Sequence, residues 1–318
     1  MRVMKLLLLS ALIATSIGAG AANTKPAKAR HHTPPVPLLW KVSDADNAIY
    51  LLGSFHLLKP GDYPLSKEVD AAFSDAEALM FEVSPEEMGS PELGMTMAKS
   101  GLRTDGRTLK DDLSPGTAKK LDAWLAANQG QLQKIGMAPQ VMQMFEPWFA
   151  ALTISVLEMT KQGLDPKLGL DAHFLTAGKK DGKHGSGLET GAQQVALFDT
   201  MSLDEQRQFM DEALKSAEEG PKEIEKLHTA WRAGDTHTLW TGMAADMRKQ
   251  YPRLYKVINV ERNDAWMPKL ERRLKDPGTD ETLVVVGALH LLGSDGVVEK
   301  LRAKGYKVER ICSACRKK

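Results

Sequence analysis

The chain has 318 residues, of which 42% are hydrophobic and 26% are charged, and it contains two cysteines. That length is sufficient for a full hydrophobic core, and the composition is ordinary for a globular protein. The formal net charge of +1 gives no strongly positive surface of the kind that binds nucleic acid or anionic membranes, so neither partner is expected.

The N-terminus has the layout of a secretory signal peptide over residues 1–21. Arg2 and Lys5 supply a charged start, residues 6–17 are apolar, and small residues follow them. The apolar part is too short to span a bilayer comfortably, and no second long apolar segment is found. We therefore expect a secreted mature chain without a transmembrane segment, periplasmic in a bacterium with two membranes. Residues 22–37 are polar and basic, which predicts a flexible leader.

Two strands are predicted at 38–43 and 48–52, and the second leads into the phrase Gly-x-x-His-Leu-Leu at residues 53–58. The same phrase occurs again at residues 287–292. Each copy follows an apolar run and precedes a Gly/Asp turn, a helical pattern and a further apolar run. Apolar runs bounded by glycine are typical of buried parallel strands. We interpret the copies as one β-α-β unit used at both ends of a single domain.

The histidine of each phrase lies three residues beyond the glycine at the strand end. In an open α/β sheet, ligands bind beyond the carboxyl ends of the strands. We therefore expect His56 and His290 to meet at this edge and to share a metal or a substrate. The competing interpretation is that each histidine only caps a helix or packs in the core.

Glu82 lies near the end of the next predicted strand, 78–83, inside an otherwise apolar run. A buried carboxylate without a partner is costly, so a metal or a basic residue is expected beside it. A right-handed crossover makes this strand parallel to the one before His56, which places Glu82 at the same sheet edge. The alternative is that Glu82 turns outward at the strand end.

The middle of the chain is predicted to be a helical insertion over residues 85–280. It includes one long helix at 138–161, rich in methionine and aromatic residues, three helices over 203–247, and a weak strand at 183–188. That strand ends before Glu189, which therefore occupies a strand-to-helix turn, as His56 does.

Arg262 and Asn263 open the last helix of the insertion. Both side chains can bind carboxylate or carbonyl oxygen, although an exposed position at the surface is the alternative interpretation.

The C-terminal region completes the predicted sheet with a strand at 283–286, a helix at 296–303 and a last strand ending at residue 311. Cys312 and Cys315 follow, and in an oxidising compartment this spacing predicts a local disulfide. The fold class expected is α/β, with a central, mainly parallel sheet built from both termini and a helical insertion or cap. No clean linker is present, so residues 38–318 are predicted to form one domain.

Standard catalytic motifs are missing from the chain. It contains no His-Glu-x-x-His, no Gly-x-Ser-x-Gly and no Gly-x-x-x-x-Gly-Lys-Ser/Thr. Zincin, serine-hydrolase and P-loop chemistries therefore lack support, and any chemistry must come from distant residues that the fold brings together.

An ordered set of motifs nevertheless resembles the TraB/GumN family, relatives of the Tiki metalloproteases, over nearly the whole mature chain. The motifs are Leu-Gly-Ser-Phe-His at 52–56, Tyr-Pro-Leu at 63–65, Phe-Glu-Val at 81–83, Gly-Leu-Asp at 169–171, Gly-Leu-Glu-Thr at 187–190, Glu-Arg-Asn at 261–263, Val-Gly-Ala-Leu-His-Leu at 286–291 and Gly-Tyr-Lys-Val at 305–308. Relatives more often carry threonine and an aliphatic residue where this chain has Ser54 and Phe55.

The resemblance implies a metal-dependent peptidase or hydrolase. It assigns three residues to a divalent metal: His56, Glu82 and His290. It makes Glu189 a further ligand or the base, and Arg262 and Asn263 groups that stabilise an oxyanion. The Tiki metal is of the manganese or cobalt type, and because mixed nitrogen and oxygen ligands also suit zinc, the sequence does not choose between these ions.

The function expected is an exported metal-dependent hydrolase that cleaves peptide or amide bonds. A metal with an open position lowers the pKa of bound water and polarises a carbonyl, and a nearby glutamate takes the proton. The substrate, a peptide or a small molecule, is left open. Two alternatives stay open: a non-catalytic protein that binds a metal, haem or a small ligand in the same cleft, and an accessory protein of envelope assembly.

Overall fold

The computed structural model describes residues 33–276 and 280–317. The predicted signal peptide, residues 1–21, and the first part of the predicted leader, residues 22–32, lie outside the described residues. Within the described ranges, no helix has the length and apolar character needed to cross a bilayer.

Six strands form one sheet within the described part of the chain. They lie in the order β4-β3-β5-β2-β1-β6. Their bounds are β1 Leu39–Ser43, β2 Ala48–Ser54, β3 Ala78–Val83, β4 His184–Glu189, β5 Thr282–Gly287 and β6 Lys307–Arg310.

Strand directions confirm the mixed α/β class and the mainly parallel sheet. β2 and β3 both pair in parallel with β5, and β4 pairs in parallel with β3. β1 is antiparallel to both β2 and β6, so it alone runs against the other strands. β5 is buried along its whole length, which its Leu-Val-Val-Val run predicts for a central parallel strand.

The repeated unit is present at both ends of the chain, and the two copies interlock. The first copy is β2, α1 (Lys67–Asp75) and β3, and the second is β5, the short helix α15 (Ala288–Leu291), α16 (Val297–Ala303) and β6. β5 lies between β2 and β3, and in its register Val286 pairs with Gly53 and Gly287 with Ser54. Both Gly-x-x-His phrases therefore leave neighbouring strands at the same edge.

The remaining α-helices all lie in the insertion. They are α2 Pro85–Met88, α3 Pro91–Ser100, α4 Pro115–Lys134, α5 Pro139–Met142, α6 Pro147–Lys161, α7 Leu170–Asp181, α8 Gly191–Asp199, α9 Leu203–Glu219, α10 Pro221–Arg232, α11 Thr236–Trp240, α12 Asp246–Gln250, α13 Pro252–Tyr255 and α14 Glu261–Lys275. Two π-helical turns, Thr241–Ala245 and Lys256–Val260, precede α12 and α14.

The long helix predicted over residues 138–161 is wrong, because the structure divides it into α5 and α6. Glu146 is extended, with ψ near 151°, and Pro147 occupies the first turn of α6. Proline disfavours helical backbone in the residue before it and has no N–H for the preceding turn, so a new helix must begin here. α6 is buried along most of its length, and its Trp148 stacks on Phe198 of α8 with ring centroids 5.1 Å apart. The predicted Cys312–Cys315 disulfide is present.

Helix α10 forms hydrogen bonds with residues on both sides of His56. His228 Nε2 lies 2.8 Å from the buried Asp62 carboxylate, which also accepts a hydrogen bond from the guanidinium of Arg232. Trp231 of the same helix donates from its indole N–H to the carbonyl of Gly53, at 3.1 Å. These contacts hold the strand end before His56 and the turn after it against one rigid element.

Replacement of Asp62 by asparagine is expected to lower the free energy of unfolding by about 3 kcal/mol near neutral pH. Burial favours the neutral carboxyl, but hydrogen bonds from His228, the Lys59 N–H and Arg232 lower the pKa of Asp62 below its ordinary 3.8. The stabilisation is therefore complete above about pH 4 and is lost as the pH falls through the folded-state value. Urea unfolding of the unmodified protein and of Asp62→Asn, at neutral pH and in acid, measures the difference between their free energies of unfolding. That difference should be smaller in acid.

The matched control is the exposed Asp46, whose change to asparagine should alter the unfolding free energy by less than about 0.5 kcal/mol. An Asp62→Asn effect as small as that of Asp46→Asn at neutral pH would contradict the anchoring role.

Candidate functional site

Both histidines of the repeated phrase converge on one carboxylate oxygen. His56 follows the end of β2, and His290 lies in α15. The Nε2 atoms of His56 and His290 are 3.7 Å and 3.9 Å from Oε1 of Glu82. The three residues are 5%, 2% and 7% exposed. The convergence predicted from the sequence is therefore present at the carboxyl edge of β2, β3 and β5.

Glu82 is turned inward and fully engaged. Its Oε1 accepts from the N–H of Gly287 at 2.8 Å, and its Oε2 accepts from Arg262 at 2.6 Å and from the Gln194 amide at 3.3 Å. Burial alone raises the pKa of a carboxyl, but the charge of Arg262, followed by His290 and His56, lowers the pKa of Glu82 to about 2. The carboxylate is therefore ionised inside the protein.

Arg262 occupies the centre of the site, with 4% of its surface exposed. Nε and Nη2 donate to Glu189, at 3.1 Å and 2.5 Å, and Nη2 also donates to Glu82. Nη1 donates to Nε2 of His290 at 2.9 Å and to the carbonyl of Ile258 at 3.3 Å. All the N–H groups of the guanidinium are thus directed at acceptors. Burial opposes the charge, but the two carboxylates hold the pKa of Arg262 above its ordinary value.

The local backbone explains how Arg262 reaches this position. It is the second residue of α14, directly after the π-helical turn Lys256–Val260, which leads without interruption into α14. The carbonyl of Ile258 in that turn accepts from Arg262, and the guanidinium lies 4.9 Å from the ring centre of Trp266. The interpretation of Arg262 as a surface residue is therefore excluded.

Glu189 and Asn263 belong to the same cluster but contact different partners. Glu189, at the end of β4, accepts from Arg262, from Gln194 at 2.6 Å and from the indole of Trp266 at 3.2 Å. Asn263 Oδ1 lies 2.8 Å from Nδ1 of His290, and its amide nitrogen donates to the carbonyl of Asp295. These contacts favour positioning over proton transfer or oxyanion binding, and the roles assigned to both residues remain predictions.

Three members of the site were not identified as site residues from the sequence. Asp171, at the start of α7, lies 2.8 Å from Nδ1 of His56 and accepts from the hydroxyl of Ser54 at 2.5 Å. The Gly-Leu-Asp motif at 169–171 carried a signal for it. Gln194 and Trp266 lie in helices without any distinguishing pattern, so the sequence offered no comparable signal for them.

Comparison with known protein families identifies the family of this chain. The model of the TraB/PrgY/gumN family matches residues 38–310. The chain belongs to this family. It is 23% identical over 253 residues to an uncharacterised protein named YbaP of Escherichia coli strain K12, and equally to the YbaP of Shigella flexneri. Each alignment covers 80% of this chain and 87% of the relative. No solved structure matches this chain.

The two site histidines of this TraB-family chain have opposite protonation behaviour. Burial lowers the pKa of both rings. For His56 the Asp171 carboxylate outweighs burial and raises the pKa to about 9. For His290 the positive charge of Arg262 adds to burial, and its pKa falls to about 3. Near neutral pH, His290 is therefore neutral while His56 holds an additional proton.

The donor set of this TraB-family site suits a divalent ion in chemistry and nearly in spacing. Two imidazole nitrogens and a carboxylate oxygen converge, and in a four-coordinate site with bonds of about 2.1 Å such donors lie about 3.4 Å apart. The separations from Glu82 Oε1, 3.7 Å and 3.9 Å, are slightly longer. Across residues 33–276 and 280–317, no group of three or more His, Cys, Asp or Glu side chains is arranged to hold a metal ion as it stands.

Two further observations bear on the fit. Among the described residues, Nε2 of His56 is a buried polar atom without a hydrogen-bond partner. Glu82, Glu189 and Asp171 also outnumber the guanidinium of Arg262, so the cluster holds two uncompensated negative charges when both imidazoles are neutral. A divalent cation would balance that charge. To hold one, the three donors would have to move closer together and Arg262 Nη1 would have to release His290 Nε2.

Gly169→Ala is expected to destabilise the protein by more than about 2 kcal/mol, because a Cβ at this position would lie 1.9 Å from the backbone oxygen of His56. The clash is with main chain and not with a movable side chain, so the segment carrying His56 must shift. Thermal or urea unfolding measures the effect. Gly130→Ala is the control: apart from the backbone of its own helix, this exposed glycine has no atom within 4 Å of its Cβ position, and alanine there should stabilise by up to about 1 kcal/mol. Equal changes in stability for Gly169→Ala and Gly130→Ala would show that the close packing of Gly169 on the His56 backbone is unimportant.

Arg262→Met is expected to lower the free energy of unfolding by about 3–5 kcal/mol, because it leaves Glu82 and Glu189 buried without their counter-charge. Adding Glu189→Gln should recover part of the loss. Arg253→Met is the control, because its side chain is 78% exposed in an ion pair with Glu205, and it should cost less than about 1 kcal/mol. Chemical denaturation measures the free energy of unfolding of each variant. A loss in Arg262→Met as small as that in Arg253→Met would refute the charge-compensation argument.

Proposed function

We propose that this chain is a metal-dependent hydrolase of peptide-like substrates. One observation carries the proposal: Nε2 of His56 and Nε2 of His290 approach the same oxygen of Glu82, at the carboxyl edge of a parallel sheet, where α/β proteins bind their ligands. Membership of the TraB/PrgY/gumN family is the second support, because the family resemblance of the sequence implies a metal-dependent hydrolase with paired Gly-x-x-His motifs.

Three side chains would hold the divalent ion, manganese, cobalt or zinc: His56, Glu82 and His290. The ion supplies Lewis acidity, which polarises a substrate carbonyl and lowers the pKa of a bound water. Neutral imidazole nitrogen and ionised carboxylate are the forms required of the ligands. His290 and Glu82 already have these forms, whereas His56 must give up a proton, so binding is accompanied by proton release.

Arg262 is the group in this site best suited to stabilise negative charge on a substrate. Its Nη1 donates to His290 Nε2, and when that nitrogen becomes a ligand, Nη1 is left with a free hydrogen directed into the site. A preorganised guanidinium in a buried site stabilises a developing oxyanion strongly. Glu189 holds Arg262 through two parallel hydrogen bonds, so in this proposal it positions the cation and Asn263 positions His290.

Export is part of the proposal. The charged start and the apolar run over residues 6–17 support secretion, to the periplasm in a bacterium with two membranes. Such a location would make the substrate an envelope or extracellular peptide, or a small molecule with an amide bond.

The test measures bound metal and cleavage together. We expect the purified protein to bind about one equivalent of manganese, cobalt or zinc and to cleave members of a peptide library only when metal is present. His56→Ala and His290→Ala should each lose most of the bound metal, and Glu82→Gln should lose both binding and cleavage. The exposed His237 is the control, and His237→Ala should match the unmodified protein. Unchanged metal stoichiometry in both site variants would remove the proposal.

A second function, a non-catalytic metal-binding protein, is favoured by the burial of the site. Arg262 is 4% exposed, and His290 is 2% exposed. Closed sites are typical of metals that stabilise structure, whereas catalytic metals keep an open position. Metal binding that depends on both histidines, with no cleavage of any peptide in the library, would select this function over the hydrolase.

A further inference from the structure

The two histidines of the repeated phrase are held by different partners at their Nδ1 atoms. Asp171 Oδ2 lies 2.8 Å from Nδ1 of His56, and Asn263 Oδ1 lies 2.8 Å from Nδ1 of His290. Asp171 comes from α7 and Asn263 from α14, so each partner is supplied by the helical insertion and lies outside the repeated phrase. A neutral imidazole has one N–H and one lone pair, and the partner at Nδ1 decides which nitrogen has which.

The tautomer of His290 follows from partners that can act in only one way. The carbonyl of Asp295 only accepts, so the amide nitrogen of Asn263 faces it and Oδ1 of Asn263 faces His290. That oxygen also only accepts, so Nδ1 of His290 must carry the hydrogen. Arg262 only donates, so Nε2 of His290 must present its lone pair. Both sides of the ring require the same tautomer.

The same reasoning applies to His56 with a charged partner. The Asp171 carboxylate accepts from the hydroxyl of Ser54 at 2.5 Å, and it requires a hydrogen on Nδ1 of His56. Nε2 of His56 is buried without a hydrogen-bond partner among the described residues, and it lies 3.7 Å from Glu82 Oε1. Once the ring is neutral, its lone pair is therefore on Nε2, the nitrogen that lies nearest to Glu82 Oε1.

Backbone contacts show that Asp171 is built into this position. It is in the first turn of α7, where the helix dipole favours a carboxylate. Two residues earlier, Gly169 packs so closely against the backbone oxygen of His56 that even a methyl group would clash with it. The start of α7 therefore contacts both the main chain of His56, through Gly169, and its ring, through Asp171.

We infer that Asp171 is a positioning residue: its hydrogen bond to Nδ1 keeps neutral His56 in the Nδ1–H tautomer and so leaves the lone pair on Nε2, the nitrogen that faces the centre of the site 3.7 Å from Glu82 Oε1. The metal site built on that lone pair rests on the proposed function, whereas the tautomer does not. A carboxylate that accepts a hydrogen bond from one ring nitrogen also makes the other ring nitrogen a more basic metal ligand. Loss of such a partner typically weakens metal affinity about 10- to 100-fold.

The experiment reads the tautomers directly by long-range ¹H–¹⁵N NMR of the imidazoles in the metal-free protein. Spectra are recorded as the pH is raised until the ¹⁵N shifts of His56 show that its ring is neutral, because only a neutral ring has a tautomer. We expect both His56 and His290 as Nδ1–H tautomers in the unmodified protein. In Asp171→Leu, His56 should change to the Nε2–H tautomer while His290, held by Asn263, should not. Asp171→Asn should retain the Nδ1–H form, because its amide oxygen can accept as that of Asn263 does.

Zinc affinity, measured by competition with a chelator, provides the second readout. Asp171→Leu should weaken zinc binding about 10- to 100-fold, and Asp171→Asn should weaken it less. An Nε2–H tautomer for His56 in the unmodified protein, or an unchanged tautomer in Asp171→Leu, overturns the inference. The first of these outcomes needs no variant, so a failure of Asp171→Leu to fold leaves the inference testable. If the unmodified protein binds no metal, the proposed function fails while the tautomer spectra still decide the role of Asp171.

Discussion

The structure depends on the neutralisation of one buried guanidinium. Arg262 donates to Glu82, Glu189 and His290, which belong to β3, β4 and α15, and it is itself part of α14. Neither the guanidinium nor the two carboxylates can be buried alone at low cost, because an uncompensated charge away from water costs several kcal/mol. The network therefore forms only when the two ends of the chain and the insertion have all come together. A polar cluster of this kind adds little net stability, but it makes incorrect packings of these elements expensive.

The sheet edge was predictable because it depends on local pattern and on topology. The two Gly-x-x-His phrases follow apolar runs, and parallel strands end at a common edge, so the approach of His56 and His290 follows from the repeat. The inward position of Glu82 follows from its place in an apolar strand and from the need for a partner. What the repeat does not contain is strand order. β5 lies between β2 and β3, and only the folded sheet shows that Gly287, through its N–H, meets Glu82.

The rest of the site was not predictable because helical residues carry little information about what they face. Gln194 and Trp266 are ordinary residues in amphipathic segments, and their contacts with Glu189 depend on how α8 and α14 pack on the sheet. Arg262 is equally compatible with solvent until the π-helical turn before α14 and the strands are placed. The division of α5 from α6 is a different case. Pro147 marks that boundary, whereas the apolar pattern continues across it and by itself predicts a single helix.

Repetition of a motif therefore determines where a residue lies and leaves its chemistry open. His56 and His290 have the same local phrase and lie at similar distances from Glu82. Asp171 nevertheless raises the pKa of one ring, whereas Arg262, which adds to the burial of the second, lowers the pKa of that one. The difference arises from residues of the insertion, more than 100 positions away from His56. The sheet places the two imidazoles in similar positions, and the insertion makes one ring more basic and keeps the other neutral.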